Sequence, residues 1–200
     1  MMSDPNTLRA MTGLPLEPVS LAESALVLID CQNTYTCGVM ELEGVQSALD
    51  EAAALLERAR TAGIPVVHIQ HDAGPGSPYD IDGESGAIVA QVAPRVGEPV
   101  VIKKYPNSFV QTELDGILKA VDASNLLLGG FMTHMCVNST ARGAFNLGYA
   151  PTVVAGATAT RALPSLHGDP VPAQVMQAAS LAALADLFAV VVSGASHIPD

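Results

Sequence analysis

The segment Ala25-Leu26-Val27-Leu28-Ile29 is continuously apolar and stops abruptly on a carboxylate, Asp30. A half-exposed strand alternates apolar and polar residues, because successive side chains point to opposite faces. An unbroken run of branched residues instead suits a strand covered on both faces, as in the parallel sheet of an α/β fold. That requirement propagates along the chain. Parallel strands need crossovers, and the usual crossover is an amphipathic helix.

The rest of the sequence meets the requirement. Val45, Leu49, Ala52, Leu56 and Ala59 mark one helical face, closed by Gly63. Pro65 to Gln70 and Pro99 to Ile102 read as a second and a third strand. Thr112 is positioned to cap a helix carrying Leu114, Ile117, Leu118 and Val121. Asn125 to Leu128 gives a fourth strand, a turn at Gly129-Gly130, and a helix with Val137, Ala141, Ala144 and Phe145 inward, ended by Gly148. Thr152 to Ala155 is a fifth strand, Val171 to Leu187 a largely buried helix, and Ala189 to Val192 a sixth strand. The alternation predicts a three-layer α/β/α domain with a mostly parallel, six-stranded, Rossmann-like sheet. One domain is expected over residues 1–200, with no repeat and no linker. Two segments break the pattern. Residues 71–98 hold only a short helix near Gly86 to Val92, and residues 156–170 are loop-like. Long loops in compact domains are usually functional or disordered, and in open α/β sheets ligands lie beyond the carboxyl ends of the strands.

Composition narrows the partners. The net charge is −11 and no basic run exceeds Lys103-Lys104, which argues against nucleic acid. The longest apolar candidate, Ala178 to Val192, is too short for a membrane span and is interrupted by Ser180 and Asp186. The amino terminus lacks the charged and apolar regions of a signal peptide. Cys31, Cys37 and Cys136 make a poor disulfide framework, so a reducing cytoplasm is the simplest expectation.

Three positions at strand ends carry chemistry. Asp30 is either a partly desolvated base or a turn cap. Cys136, with Thr133 as the expected N-cap, falls in the first turn of a helix. It is either a thiolate stabilised by helix-start amides or a small buried apolar residue. Of Lys103 and Lys104, adjacent on a strand, one points inward and one to solvent. A parallel sheet would gather all three strand ends at one edge.

The surrounding blocks are more specific. Leu26-Val27-Leu28-Ile29-Asp30-Cys31-Gln32-Asn33, Lys103-Lys104-Tyr105-Pro106-Asn107-Ser108-Phe109 and Gly130-Phe131-Met132-Thr133-His134-Met135-Cys136-Val137 resemble the isochorismatase-like cysteine hydrolases. That superfamily includes nicotinamidases, N-carbamoylsarcosine amidohydrolase, ureidoacrylate hydrolases and isochorismatase. Ser139-Thr140-Ala141-Arg142-Gly143-Ala144 and Gly148-Tyr149 match as well, and the resemblance spans about residues 24–194.

The resemblance implies a catalytic Asp30, Lys103 and Cys136, the lysine being fixed by its distance from Phe109. It also implies a cis peptide between Phe131 and Met132, and an oxyanion hole formed by the Met132 and Cys136 amides. The implied reaction is cysteine-dependent hydrolysis of a small amide, carbamoyl or other C–N bond through a thioester. Vinyl-ether cleavage of an isochorismate-like substrate and a non-catalytic binding or redox-responsive role are the alternatives. The histidine-rich metal motif of nicotinamidases is missing from Val66-Val67-His68-Ile69-Gln70-His71-Asp72-Ala73-Gly74, so neither metal nor organic cofactor is expected. By position, Tyr35, His71, Tyr105, Asn107, Phe109, Met132 and Arg161 are pocket candidates; Arg161 either pairs with a substrate carboxylate or ties down its loop, and His71 is either a pocket or a structural histidine. The resemblance and the apolar composition suggest a homodimer or homotetramer.

Overall fold

The structure, a computed structural model, describes residues 6–166 and 168–200. Its strands are β1 (Ser24–Ile29), β2 (Val66–His71), β3 (Val100–Lys103), β4 (Asn125–Phe131), β5 (Ala150–Ala159) and β6 (Val190–Val192). The helices are α1 (Leu8–Met11), α2 (Val45–Ala62), α3 (Leu114–Ala120), α4 (Asn138–Asn146) and α5 (Ala173–Ala185). The strands form one sheet in the order β3-β2-β1-β4-β5-β6, and every pairing is parallel rather than most of them.

Burial on both faces explains the unbroken apolar run of β1. Leu26 and Leu28 pack with Leu49, Leu55 and Leu56 of α2 on one side. Ala25, Val27 and Ile29 pack on the other with Leu114 and Leu118 of α3 and Val137, Ala141 and Ala144 around α4. α2 buries Val45, Ala48, Leu49, Ala52, Leu55, Leu56 and Ala59, a stripe at helical spacing, and ends on Gly63 at φ 69°. Truncating a fully buried leucine there to alanine would cost about 2–5 kcal/mol.

Several local expectations are corrected. Gly129-Gly130 is not a turn but part of β4, which runs on to Phe131. The glycines are needed for close approach to neighbouring strands. A Cβ on Gly130, at φ 111°, would lie 1.9 Å from the Ile29 carbonyl oxygen, and one on Gly129 would lie 3.2 Å from the Ala157 side chain. β5 is longer than expected because it follows β4 past a register shift between Leu128 and Gly130. The N-cap of α3 is Glu113, and Thr112 contributes only a long contact to the Leu114 amide at 3.4 Å. The short helix near Gly86 to Val92 is a single 3₁₀ turn, Ala90–Val92.

α5 is not largely buried. Only Ala173, Ser180 and Leu184 are, while Val175, Ala178, Ala179 and Ala182 are exposed. A charge-free sequence looked like core; in the single chain it covers one flank only. The small helix α1, unforeseen, is tied down by Arg9, which donates to the Pro15 and Leu187 carbonyls. No helix among the described residues is long and apolar enough to cross a membrane.

A second polar cluster sits away from the strand ends that carry Asp30 and Lys103. The Glu98 carboxylate accepts from Arg60 at 2.8 Å and from the Arg95 backbone amide at 2.8 Å, and meets His68 Nε2 at 3.0 Å. The Arg60 hydrogen bond, against the opposing effect of burial, holds Glu98 down to about 2 from its ordinary 4.5. Burial lowers His68 in turn. Both shifts mean that the unfolded chain binds protons the folded chain refuses, so acidification destabilises the fold. The Glu98 contribution is complete above its unfolded value and is lost as the pH falls through about 2. Urea unfolding should therefore show a decline of roughly 2 kcal/mol from this group across that window. Glu98→Gln should be less stable at neutral pH and flatter below pH 4.5.

Candidate active site

The strand order reverses between β1 and β4, since β2 and β3 lie on one side of that pair and β5 and β6 on the other. A crevice at the carboxyl ends of two such strands is where doubly wound sheets bind ligands. Asp30 follows β1 directly, and Cys136 follows β4 after a short turn. Lys103 ends β3, in register with His71 at the end of β2, so the two side chains stand on the same face of the sheet.

The three chemical groups meet. Lys103 Nζ lies 2.7 Å from Asp30 Oδ2 and 3.3 Å from Cys136 Sγ. It also lies 3.2 Å from His71 Nδ1. The Asp30 and Lys103 side chains are both fully buried, whereas Lys104 is exposed. Asp30 has φ 50°, a conformation that aspartate tolerates better than most residues. Its amide still donates to the Ile69 carbonyl at 3.0 Å, which anchors the carboxylate to β2.

Cys136 lies in a π-helical turn, Thr133–Val137, that leads into α4. The wide turn is closed by the Val137 amide donating to the Met132 carbonyl at 3.2 Å. Turns of this type inside helices recur at functional sites. Thr133 is not the N-cap; Met132 occupies that place. The Thr133 side chain turns into the core instead, and its Oγ1 has no hydrogen-bond partner among the described residues. The peptide between Phe131 and Met132 is cis.

The electrostatics differ from the expectation of a stabilised thiolate. Burial and then the Asp30 charge push the Cys136 thiol up to about 12, against the opposing pull of Lys103. Burial raises Asp30 as well, while Lys103 and the Cys136 thiol favour its charged form. Asp30 and Lys103 form an ion pair, and the thiol beside them is biased toward its neutral form. Moving the thiol proton to Asp30 leaves the net charge of the trio unchanged, so the low dielectric opposes that transfer far less than it opposes loss of the proton to water.

Around the trio runs a chain of rings. Tyr35 meets Phe131 edge-on at 5.6 Å and Tyr79 at 5.8 Å, and Tyr79 meets His71 at 5.0 Å. Tyr79 was not anticipated, because it lies in the irregular 71–98 segment and no periodicity marks it. Gln32 was also missed as an organising residue. Its amide accepts from His71 N–H at 2.9 Å and donates to the His71 carbonyl at 2.9 Å and the Gly86 carbonyl at 2.7 Å. It thus joins β1, β2 and the long loop.

The remaining pocket candidates have partners of their own. Asn107 accepts from the Phe109 amide at 3.0 Å and packs on α4, where a Cβ on Gly143 would come within 2.5 Å of it. Phe109 stacks on Tyr149 at 5.7 Å, and Tyr105 is exposed. Ser108 fixes this segment to α4 by bonding Thr140 Oγ1 through its amide at 3.0 Å and its hydroxyl at 2.8 Å. Met132 is buried beside Phe131 in the core against α2.

Arg161 is close enough to Tyr79 and His134 for its charge to act on both. Its Nε is buried with no partner among the described residues. His68 and His71 serve different neighbours, Glu98 and Lys103. Among the described residues no three His, Cys, Asp or Glu side chains gather closely enough to hold a metal ion.

Comparison with known proteins identifies the family. Residues 24–196 match the Isochorismatase domain. A secreted isochorismatase effector from Verticillium dahliae is 34% identical over 94% of this chain and 97% of its own length. A ureidoacrylate amidohydrolase from Azorhizobium caulinodans is 31% identical over 71% of this chain and 79% of its own. The crystal structure of an isochorismatase from Pseudomonas putida superposes with a TM-score of 0.93 and 35% identity, covering 96% of this chain and 98% of that one. The chain therefore belongs to the isochorismatase family and is a hydrolase of that family.

Proposed function

We propose that the protein hydrolyses a C–N bond in a small amide or carbamoyl compound, with Cys136 as nucleophile, Asp30 as general base and acid, and Lys103 as the fixed positive charge. One observation carries the reading: a single ammonium lies within 3.3 Å of both the carboxylate and the thiol. A hydrolase without a nucleophilic cysteine has no use for a thiol in that position. The amidohydrolase among the relatives is in keeping with C–N chemistry.

The steps balance. Asp30 takes the Cys136 proton as sulfur attacks the carbonyl carbon, and the Met132 and Cys136 amides receive the developing oxyanion. Collapse breaks the C–N bond, and protonated Asp30 gives its proton to the departing ammonia or amine. Asp30 then removes a proton from water, the hydroxide cleaves the thioester, and the departing sulfur takes that proton back from Asp30, which restores the thiol beside Lys103. Neither a metal nor an organic cofactor takes part. The free thiols suit a reducing compartment such as the cytoplasm. Association of two or four copies would cover the exposed apolar residues of α5.

Vinyl-ether cleavage is the second reading, favoured by the isochorismatase names among the relatives. It requires proton donation but no sulfur nucleophile. The two readings separate in one screen for ammonia release from small amides, carbamoyl and ureido compounds. An active compound should lose turnover with Cys136→Ala, survive exhaustive chelation, and leave an acyl adduct on Cys136 that mass spectrometry detects. Isochorismate-like turnover that persists in Cys136→Ala would overturn the proposal.

Lys103→Ala should lower turnover by about a hundredfold or more, since the charge it supplies is preorganised in a dry site. Lys104→Ala should stay within about twofold, as expected for an exposed side chain away from special features. Equal losses would remove Lys103 from the mechanism.

Arg161 offers an unpaired guanidinium edge to a substrate anion. On that reading, Arg161→Gln should raise KM for a carboxylate-bearing substrate by about tenfold or more and barely change it for the neutral amide. Similar changes for both would show that Arg161 only ties down its loop.

A further inference from the structure

The Lys103 ammonium carries three N–H bonds and has no solvent to receive any of them. Cys136 Sγ at 3.3 Å receives one, and Asp30 Oδ2 lies 2.7 Å away as the ion-pair partner. The other acceptor is His71 Nδ1 at 3.2 Å. We propose that His71 is a positioning residue, whose neutral Nδ1 accepts an ammonium proton and so holds Lys103 Nζ between base and nucleophile. The proposal rests on the assignment of Cys136 as nucleophile.

A ring nitrogen that accepts from an ammonium carries no proton itself, so the imidazole proton sits on Nε2. A protonated ring would set two donors against each other in a buried space. Burial first and the Lys103 charge second bring His71 down to about 4, with Asp72 acting in the opposite direction. The remaining neighbour is the Tyr79 ring, met edge-on at 5.0 Å. The His71 backbone is also held in place. Gln32 grips both the N–H and the C=O of His71, and the cross-strand register with Lys103 aligns the two side chains. β2 thus supplies an acceptor and a fixed place for it.

Alkylation of Cys136 by iodoacetamide reads the sulfur's reactivity without a known substrate. In a Cys37→Ser background, which removes the exposed thiol, the rate is followed from pH 6 to pH 10. His71→Leu should slow labelling at pH 8 by about tenfold and move the pH profile upward, since a charge-assisted contact is lost. His71→Asn places an amide oxygen where Nδ1 stood and should restore the rate to within about threefold, a rescue that packing alone does not predict. Long-range ¹H–¹⁵N spectra of the unsubstituted protein should show His71 protonated on Nε2 only, down to about pH 4. A proton on Nδ1, a His71→Leu profile equal to the parent's, or equal losses in both variants would overturn the proposal. Failure of the nucleophile assignment looks different: alkylated Cys136 with hydrolysis intact, while the His71 spectrum still decides the positioning role.

Discussion

Two opposite charges buried 2.7 Å apart are the constraint around which the molecule is arranged. Removing a carboxylate and an ammonium from water costs several kcal/mol each, and their mutual attraction offsets that only when geometry is good and remaining polar atoms find partners. Here the groups around the pair come from four neighbouring strand ends, although neither Asp30 carboxylate oxygen has a hydrogen-bond partner among the described residues. β1 brings the carboxylate, β3 the ammonium, β2 the imidazole, and the turn after β4 the thiol. None of the four groups is held by local sequence alone. Each depends on the register of the sheet, so the site and the core are stabilised by the same packing.

The charge arrangement also accounts for a thiol that is hard to ionise and yet usable. A cysteine with a freely lowered pKa would be a thiolate at rest, open to any electrophile or oxidant that reaches it. At Cys136 burial and Asp30 raise the cost of losing the proton outright. Handing it to the adjacent carboxylate creates no net charge. In the proposed mechanism the thiol would therefore react only with a substrate that dwells beside it.

Much of this was legible in the sequence because the physics is local. A strand buried on both faces must be apolar, so Asp30 stood out at the end of β1. Strand geometry left open which of the two lysines points inward; the family resemblance of the block Lys103 to Phe109 chose Lys103, and the structure has Lys103 buried and Lys104 exposed. Readings failed where the deciding contact lies far away in sequence. Gly129-Gly130 looked like a turn because its reason for being glycine, the approach of Ile29 and Ala157, belongs to other strands. Tyr79 and Gln32 gained their roles from the fold of a long irregular segment, which no periodicity describes. α5 looked buried because it lacks charge, a signal shared by core helices and by surfaces that shun repulsion between copies of a chain with net charge −11.

The absent side chain at position 130 has a wider consequence. β1 and β4 touch so closely there that no methyl group fits between them, and Asp30 and Cys136, the proposed base and nucleophile, follow those same two strands. The interval between them is therefore built into the scaffold, and not into the loops that surround it. On the proposed mechanism, changes confined to residues 72–98 would leave the separation of the reacting groups as the strands set it.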